Sequence, residues 1–187
     1  MHSRAMGLIF GEIRFNFRLF AAYLKSLNHF VSIFGAMENI FDKSDAENFI
    51  NRINQLTPET QPQWGKMSVD QMLAHCNIGF EMAYEPEKYP TINPVAKFFL
   101  KFLIKSTVVG DKPYEKNGRT APEFIIEGSR DFELEKKRLI ENIKKTNKAG
   151  TAHFEGKSSR SLGKLSAAEW NVSFSKHLNH HLSQFSV

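Results

Sequence analysis

Three stretches of this chain open alike, with a serine followed three residues later by glutamate or glutamine: Ser44 with Glu47, Ser68 with Gln71, and Ser166 with Glu169. That spacing lets the serine hydroxyl accept an otherwise unpaired N–H of the first helical turn while the longer side chain reaches back to the serine N–H. Each box therefore marks a helix start. Apolar residues then recur at spacings of three and four: Ala46, Phe49, Ile50, Ile53 and Leu56 after the first box, and Met72, Ile78, Gly79 and Met82 after the second. Thr57-Pro58 closes the first helix, and Glu85-Pro86 closes the second near Tyr84. A further helix is predicted from about Arg130 to Asn147, with Phe132, Leu139, Ile140 and Ile143 inward and Ala149-Gly150 at its end. Alternating strand patterns are absent apart from a short candidate near Phe124–Ile126, so the fold class is all-α.

The last helix carries the chemistry. At about 100° per residue, Trp170, Phe174, His177, His181 and Gln184 fall on one stripe, which sets two imidazoles one turn apart on the inward face. His180 lies about 60° off that stripe. Side chains at i and i+4 are close enough for both rings to reach one divalent ion, although histidine pairs on helices also occur as ordinary half-buried polar residues. The second helix adds His75 on its own inward face. Cys76, about 100° further round, is expected to be a small buried residue.

Between the second helix and the one from Arg130 runs a long excursion, Tyr89 to Thr120. Asn93 can cap and Pro94 can open a short helix within it. Val95, Phe98, Phe99, Phe102 and Leu103 form its apolar side beside a ridge of Lys97, Lys101 and Lys105, which reads as a lid or packing helix with a solvated basic edge in preference to a phosphate or lipid site. Residues 150–165 read as a loop.

Composition narrows the function classes. The 187 residues suffice for one domain with a core, and the single cysteine leaves no internal disulfide or Cys-rich zinc site, consistent with a cytoplasmic setting. The formal charge of +5 is uneven: Arg4, Arg14, Arg18 and Lys25 against Glu12 give residues 1–36 +3, and the remaining 21 basic and 19 acidic residues give +2. A nearly neutral body without a reader motif argues against nucleic acid. Residues 1–36 are aromatic-rich, but charges interrupt every apolar run, so no transmembrane segment is expected. They read as an extension outside the domain at 37–187, with translation starting at Met37 favoured over an amphipathic surface helix or a transit-like leader.

The segments WGKMSVDQMLAHC (Trp64 to Cys76), RTAPEF (Arg119 to Phe124), RDFELEKKRLI (Arg130 to Ile140) and GKLSAAEWNVSFSKHLNHHLSQF (Gly163 to Phe185) resemble the DinB-like (DinB/YfiT) superfamily, and within it an uncharacterised domain-of-unknown-function branch. The resemblance spans about Met37 to Val187. It implies a four-helix bundle with the excursion and its short helix between helices 2 and 3. It also implies a divalent metal (Zn, Ni, Fe or Mn) held by His75, His177 and His181. This branch tends to carry a histidine and aromatic residues before the glycine matched to Gly163, where this chain has Ser158-Ser159-Arg160-Ser161-Leu162, so substrate contacts are expected to differ.

Several DinB-like relatives are thiol-dependent transferases or isomerases. The resemblance thus implies a small-molecule substrate and activation of a low-molecular-weight thiol at the three-histidine site. Metal-dependent hydrolysis and a non-enzymatic metal-binding or interaction module are the alternatives. Gln71 and Gln184, each about one turn from a ligand, are candidates to orient imidazoles or substrate, and His180 is a candidate proton carrier. Bundles of this type often pair, which keeps a homodimer among the expectations.

Overall fold

A computed structural model describes residues 37–187; the expectations for residues 1–36 lie outside the described residues. The described chain is mostly helical, with helices α1 (Lys43–Asn54), α2 (Val69–Tyr84), α3 (Pro94–Val109), α4 (Phe132–Phe154) and α5 (Ala167–Gln184). The only sheet among the described residues is an antiparallel hairpin of β1 (Ser158–Ser159) and β2 (Gly163–Lys164).

The local starts follow the side-chain chemistry, with one shift. Ser166 and Glu169 exchange both capping bonds, the Ser166 N–H donating to Glu169 Oε2 at 2.9 Å and the Glu169 N–H to Ser166 Oγ at 3.2 Å. At α1 the cap is Asp42 rather than Ser44: its carboxylate accepts the Ser44 and Asp45 N–H groups, and the Ser44 hydroxyl itself donates to it at 2.7 Å. An ionised carboxylate two residues upstream outcompetes a hydroxyl as acceptor, so the helix begins at Lys43.

Four helices share one core. Phe49 and Ile53 of α1, Met72, Leu73 and Phe80 of α2, Leu139 and Ile143 of α4, and Trp170, Phe174 and Leu178 of α5 are all buried. Phe80 lies parallel to Phe174 with ring centroids 4.7 Å apart, which fastens α2 to α5. A polar network joins α2 to α4: the buried Asn77 amide donates to Glu135 Oε2 at 2.8 Å and accepts from the Asn142 amide at 2.9 Å, while Arg138 pairs with both Glu135 and Glu81. Buried amides and carboxylates are tolerable only when satisfied in this way, and the network fixes the register of α4 on α2.

Three expectations change. Gly150 bends α4, adopting φ +68°, ψ 179°, but the chain resumes helical hydrogen bonding for another turn to Phe154, whose ring is fully buried against Trp170 and Phe174. Burial of that ring extends the element past its glycine, and the loop is shortened to the hairpin. Phe124–Ile126 forms no strand: Pro122–Phe124 is a single 3-10 turn, as a proline that fixes φ and lacks an N–H favours. The excursion helix, α3, runs 16 residues rather than being short, and contributes no buried residue.

A candidate three-histidine metal centre

Capping holds α2 so that His75, on its inward side, meets α5. The Ser68 N–H donates to Gln71 Oε1, the Gln71 amide donates to Gly128 O at 3.0 Å, and Asp70 accepts the Arg130 N–H at 2.6 Å. The start of α2 therefore pins the segment that follows the Pro122–Phe124 turn. That turn in turn presents the Phe124 carbonyl to His75, 2.8 Å from Nδ1. A carbonyl oxygen only accepts, so Nδ1 of His75 carries the proton and Nε2 keeps its lone pair.

His181 is oriented by the same logic. Gln184 donates its amide N–H to the Trp64 carbonyl at 2.6 Å, which leaves its Oε1 to accept from His181 Nδ1 at 2.9 Å. His181 Nε2 is therefore the bare nitrogen. This contact depends on Gly65: at φ +83° it occupies the left-handed region, and a Cβ there would stand 2.6 Å from the Gln184 amide nitrogen.

His177 completes the group, with its Nε2 2.9 Å from His75 Nε2. One potential ligand nitrogen from each of His75, His177 and His181 lies within 4.8 Å of the others. Two nitrogens bound to one tetrahedral ion at roughly 2.0–2.1 Å stand about 3.3 Å apart, so small ring rotations convert this packing into a coordination shell. His75 and His181 are buried, at 4% and 6% exposure, and His177 is half-buried.

The electrostatics keep these rings neutral. Burial holds His75 below the ordinary histidine value. It holds His177 well below it, with His181, His75 and His180 adding to the effect. His181 is lowered to about 3, again first by burial and then by His75. Neutral imidazole is the form with a lone pair to give a metal. The Nδ1–H groups of His75 and His181 are tied to neutral oxygens, which leaves their Nε2 lone pairs for a divalent ion; His177 Nε2, which donates to His75 Nε2 here, would join them through its other tautomer, and imidazole suits zinc, nickel and iron alike.

The other sequence candidates divide. Gln184 touches the cluster. Gln71 does not: its side chain caps α2 and holds Gly128, one step behind the Phe124 carbonyl. His180 stands outside the trio, half-buried, its ring centroid 4.9 Å from that of His181, 5.7 Å from Tyr114 and 5.9 Å from Trp64. Cys76 is buried with its thiol toward Met72 Sδ at 3.7 Å, and burial pushes its pKa up.

Four contributors escaped the sequence reading. Phe124 supplies its carbonyl and a ring 5.8 Å from that of His177. Tyr114 stands edge-on to His177 at 6.4 Å, its hydroxyl pushed up to about 12 by burial. The buried Trp64 indole N–H has no acceptor among the described residues. Arg160, in the hairpin that departs from the branch pattern, donates to Glu123 Oε1 at 2.9 Å and to the Pro90 carbonyl, bracing the turn that carries Phe124. Trp64 and Phe124 stand in segments that carry the family resemblance, and Arg160 in the run that departs from it, but no role for these individual residues followed from that.

No curated protein and no solved structure matches the chain. Residues 37–187, the stretch that contains all three imidazoles, match the family described as "Protein of unknown function (DUF1569)", and the chain belongs to that family.

Proposed function

We propose that residues 37–187 form a DinB-like bundle in which His75, His177 and His181 hold one divalent ion, and that the centre activates a low-molecular-weight thiol for transfer or isomerisation. The observation that carries this reading is the convergence of three neutral rings from helices far apart in sequence, with His75 Nε2 and His177 Nε2 2.9 Å apart. A divalent ion held by three neutral ligands supplies a full double positive charge and an open position that acidifies a thiol or water.

The surroundings favour the thiol. Where metal-ligating histidines lean on carboxylates, the negative charge damps the ion's pull on an incoming anion. Here His75 and His181 lean on a backbone carbonyl and an amide, both neutral. The rings of Phe124, Tyr114 and His180 stand beside His177 and His181, largely apolar surroundings suited to a thiol and its alkyl substituents. His180, neutral because burial lowers its pKa, can accept the proton a thiol gives up.

Cobalt-substituted protein titrated with small thiols tests the reading. Thiolate entering the open position changes the visible spectrum; a cobalt spectrum unmoved by any thiol would leave hydrolysis or a purely structural ion as the account.

A further inference from the structure

α3 has its apolar side turned to the outside. Among the described residues, seven large hydrophobic side chains are exposed, and five of them are Val95 (65%), Phe98 (58%), Phe99 (59%), Phe102 (70%) and Leu103 (73%). They adjoin one another along one side of the helix, with Phe98 stacked edge-on against Phe99 and Phe102 at centroid distances of 5.7 and 4.8 Å. A contiguous exposed apolar patch of this kind marks a binding surface.

The charge pattern says which kind. The 16 residues of α3 contain Lys97, Lys101 and Lys105 and no acidic residue. Spaced by four, the lysines run along one edge of the apolar face. Lys105 reaches back to Glu169 of α5 at 2.6 Å; Lys97 and Lys101 have no acidic partner among the described residues. Lysine stems can lie along apolar surface while their ammonium groups reach outward to phosphate level. A helix with bulky rings on one face and lysines at its border is built to lie in a membrane interface. A second copy of the chain would instead bring two acid-free lysine rows to one contact, an arrangement that like-charge repulsion opposes.

The attachment of α3 suits that placement. Its C-terminal end is held from beneath by the buried Lys176, which donates to the carbonyls of Thr107, Gly110 and Lys112 at 2.6, 2.7 and 3.2 Å. Ile104, Val108 and Val109 pack on the core. The helix is thus fastened to the domain by its inner side and its end, while the phenylalanines remain available.

We propose that α3 docks the protein onto an anionic lipid surface, with Phe98, Phe99 and Phe102 entering the headgroup boundary and Lys97 and Lys101 meeting lipid phosphates. The test is co-sedimentation of the full chain with vesicles of equimolar phosphatidylcholine and phosphatidylglycerol, and with phosphatidylcholine alone. The wild-type chain is expected to pellet with the anionic vesicles and to be released by added salt. Phe98→Ser/Phe102→Ser and Lys97→Glu/Lys101→Glu are each expected to reduce partitioning by about tenfold or more. Circular dichroism should report an unchanged fold, since these positions are exposed. Because residues 1–36 carry +3 of their own, the comparison between variants is the readout. Failure of the wild-type chain to bind, or variants that partition like it, overturns the proposal. So does a concentration-dependent dimer that Phe98→Ser/Phe102→Ser converts to monomer in the absence of lipid, which would make a second copy the occupant.

Discussion

α2 and α3 are each 16 residues long, yet α2 buries nine residues and α3 none. The difference does not follow composition. The buried helix carries His75 and Asn77 on its inward side, and the exposed one carries three phenylalanines and a leucine at 58% exposure or more. What separates them is partners. Each buried polar group of α2 has an acceptor or donor waiting on another element: Phe124 O and His177 for His75, Glu135 and Asn142 for Asn77. The apolar face of α3 meets none within the described residues. A polar side chain goes inside where the fold satisfies it, and an apolar face stays outside where the described residues offer it no complement.

The contrast breaks most sharply at two phenylalanines. Phe80→Ala removes a ring that is 2% exposed and stacked on Phe174, and is expected to destabilise the protein by about 3–5 kcal/mol in urea unfolding. If it costs less than a third of that, the shared core of α2 and α5 is misdrawn. Acid should act next. His75, His177 and His181 all have folded pKa values below the ordinary 6.5, His181 near 3. Between these values the unfolded chain binds more protons than the folded one. Stability of the metal-free protein should therefore be level above about pH 6.5 and fall as pH drops below it. A melting temperature that instead rose on acidification would contradict neutral, crowded rings.

Smaller effects refine the comparison. Lys176→Ala strands three carbonyls at the end of α3 and should cost about 1–3 kcal/mol, with faster hydrogen exchange confined to the end of that helix. Gln184→Leu frees the Nδ1 of His181 and should weaken metal binding roughly 10–100-fold with little change in fold. Least of all, Phe102→Ser should move stability by no more than about 0.5 kcal/mol, because a 70% exposed ring contributes almost nothing to the core.

Much of this was legible in the chain because the signals are local. Capping at Ser68 and Ser166 depends on residues three apart, and the facing of His75, His177 and His181 depends only on a 3.6-residue period. Asp42 displaced Ser44 because two good capping residues stood two positions apart and the carboxylate is the stronger acceptor. The supports of the imidazoles were hidden for a different reason: a backbone carbonyl like those of Phe124 and Trp64 exists at every position of every chain, and nothing in residue type says which will meet a ring 49 residues away or the ring-orienting Gln184 amide 120 residues away. Gln71 looked equivalent to Gln184, one turn from a histidine, but the capping bond claims its side chain. Periodicity likewise identified the apolar face of α3 without saying what, if anything, lies opposite it.

The central claim is that rings from α2 and α5 form one ion site, and metal content measured on untagged protein tests it most directly. After growth or refolding with Zn, Ni, Fe and Mn available, the wild-type chain should hold close to one divalent ion per molecule. His75→Ala and His181→Ala should each lose it while remaining helical. A wild-type chain that takes up no ion, or a His75→Ala variant that keeps its ion at full occupancy, would contradict the account.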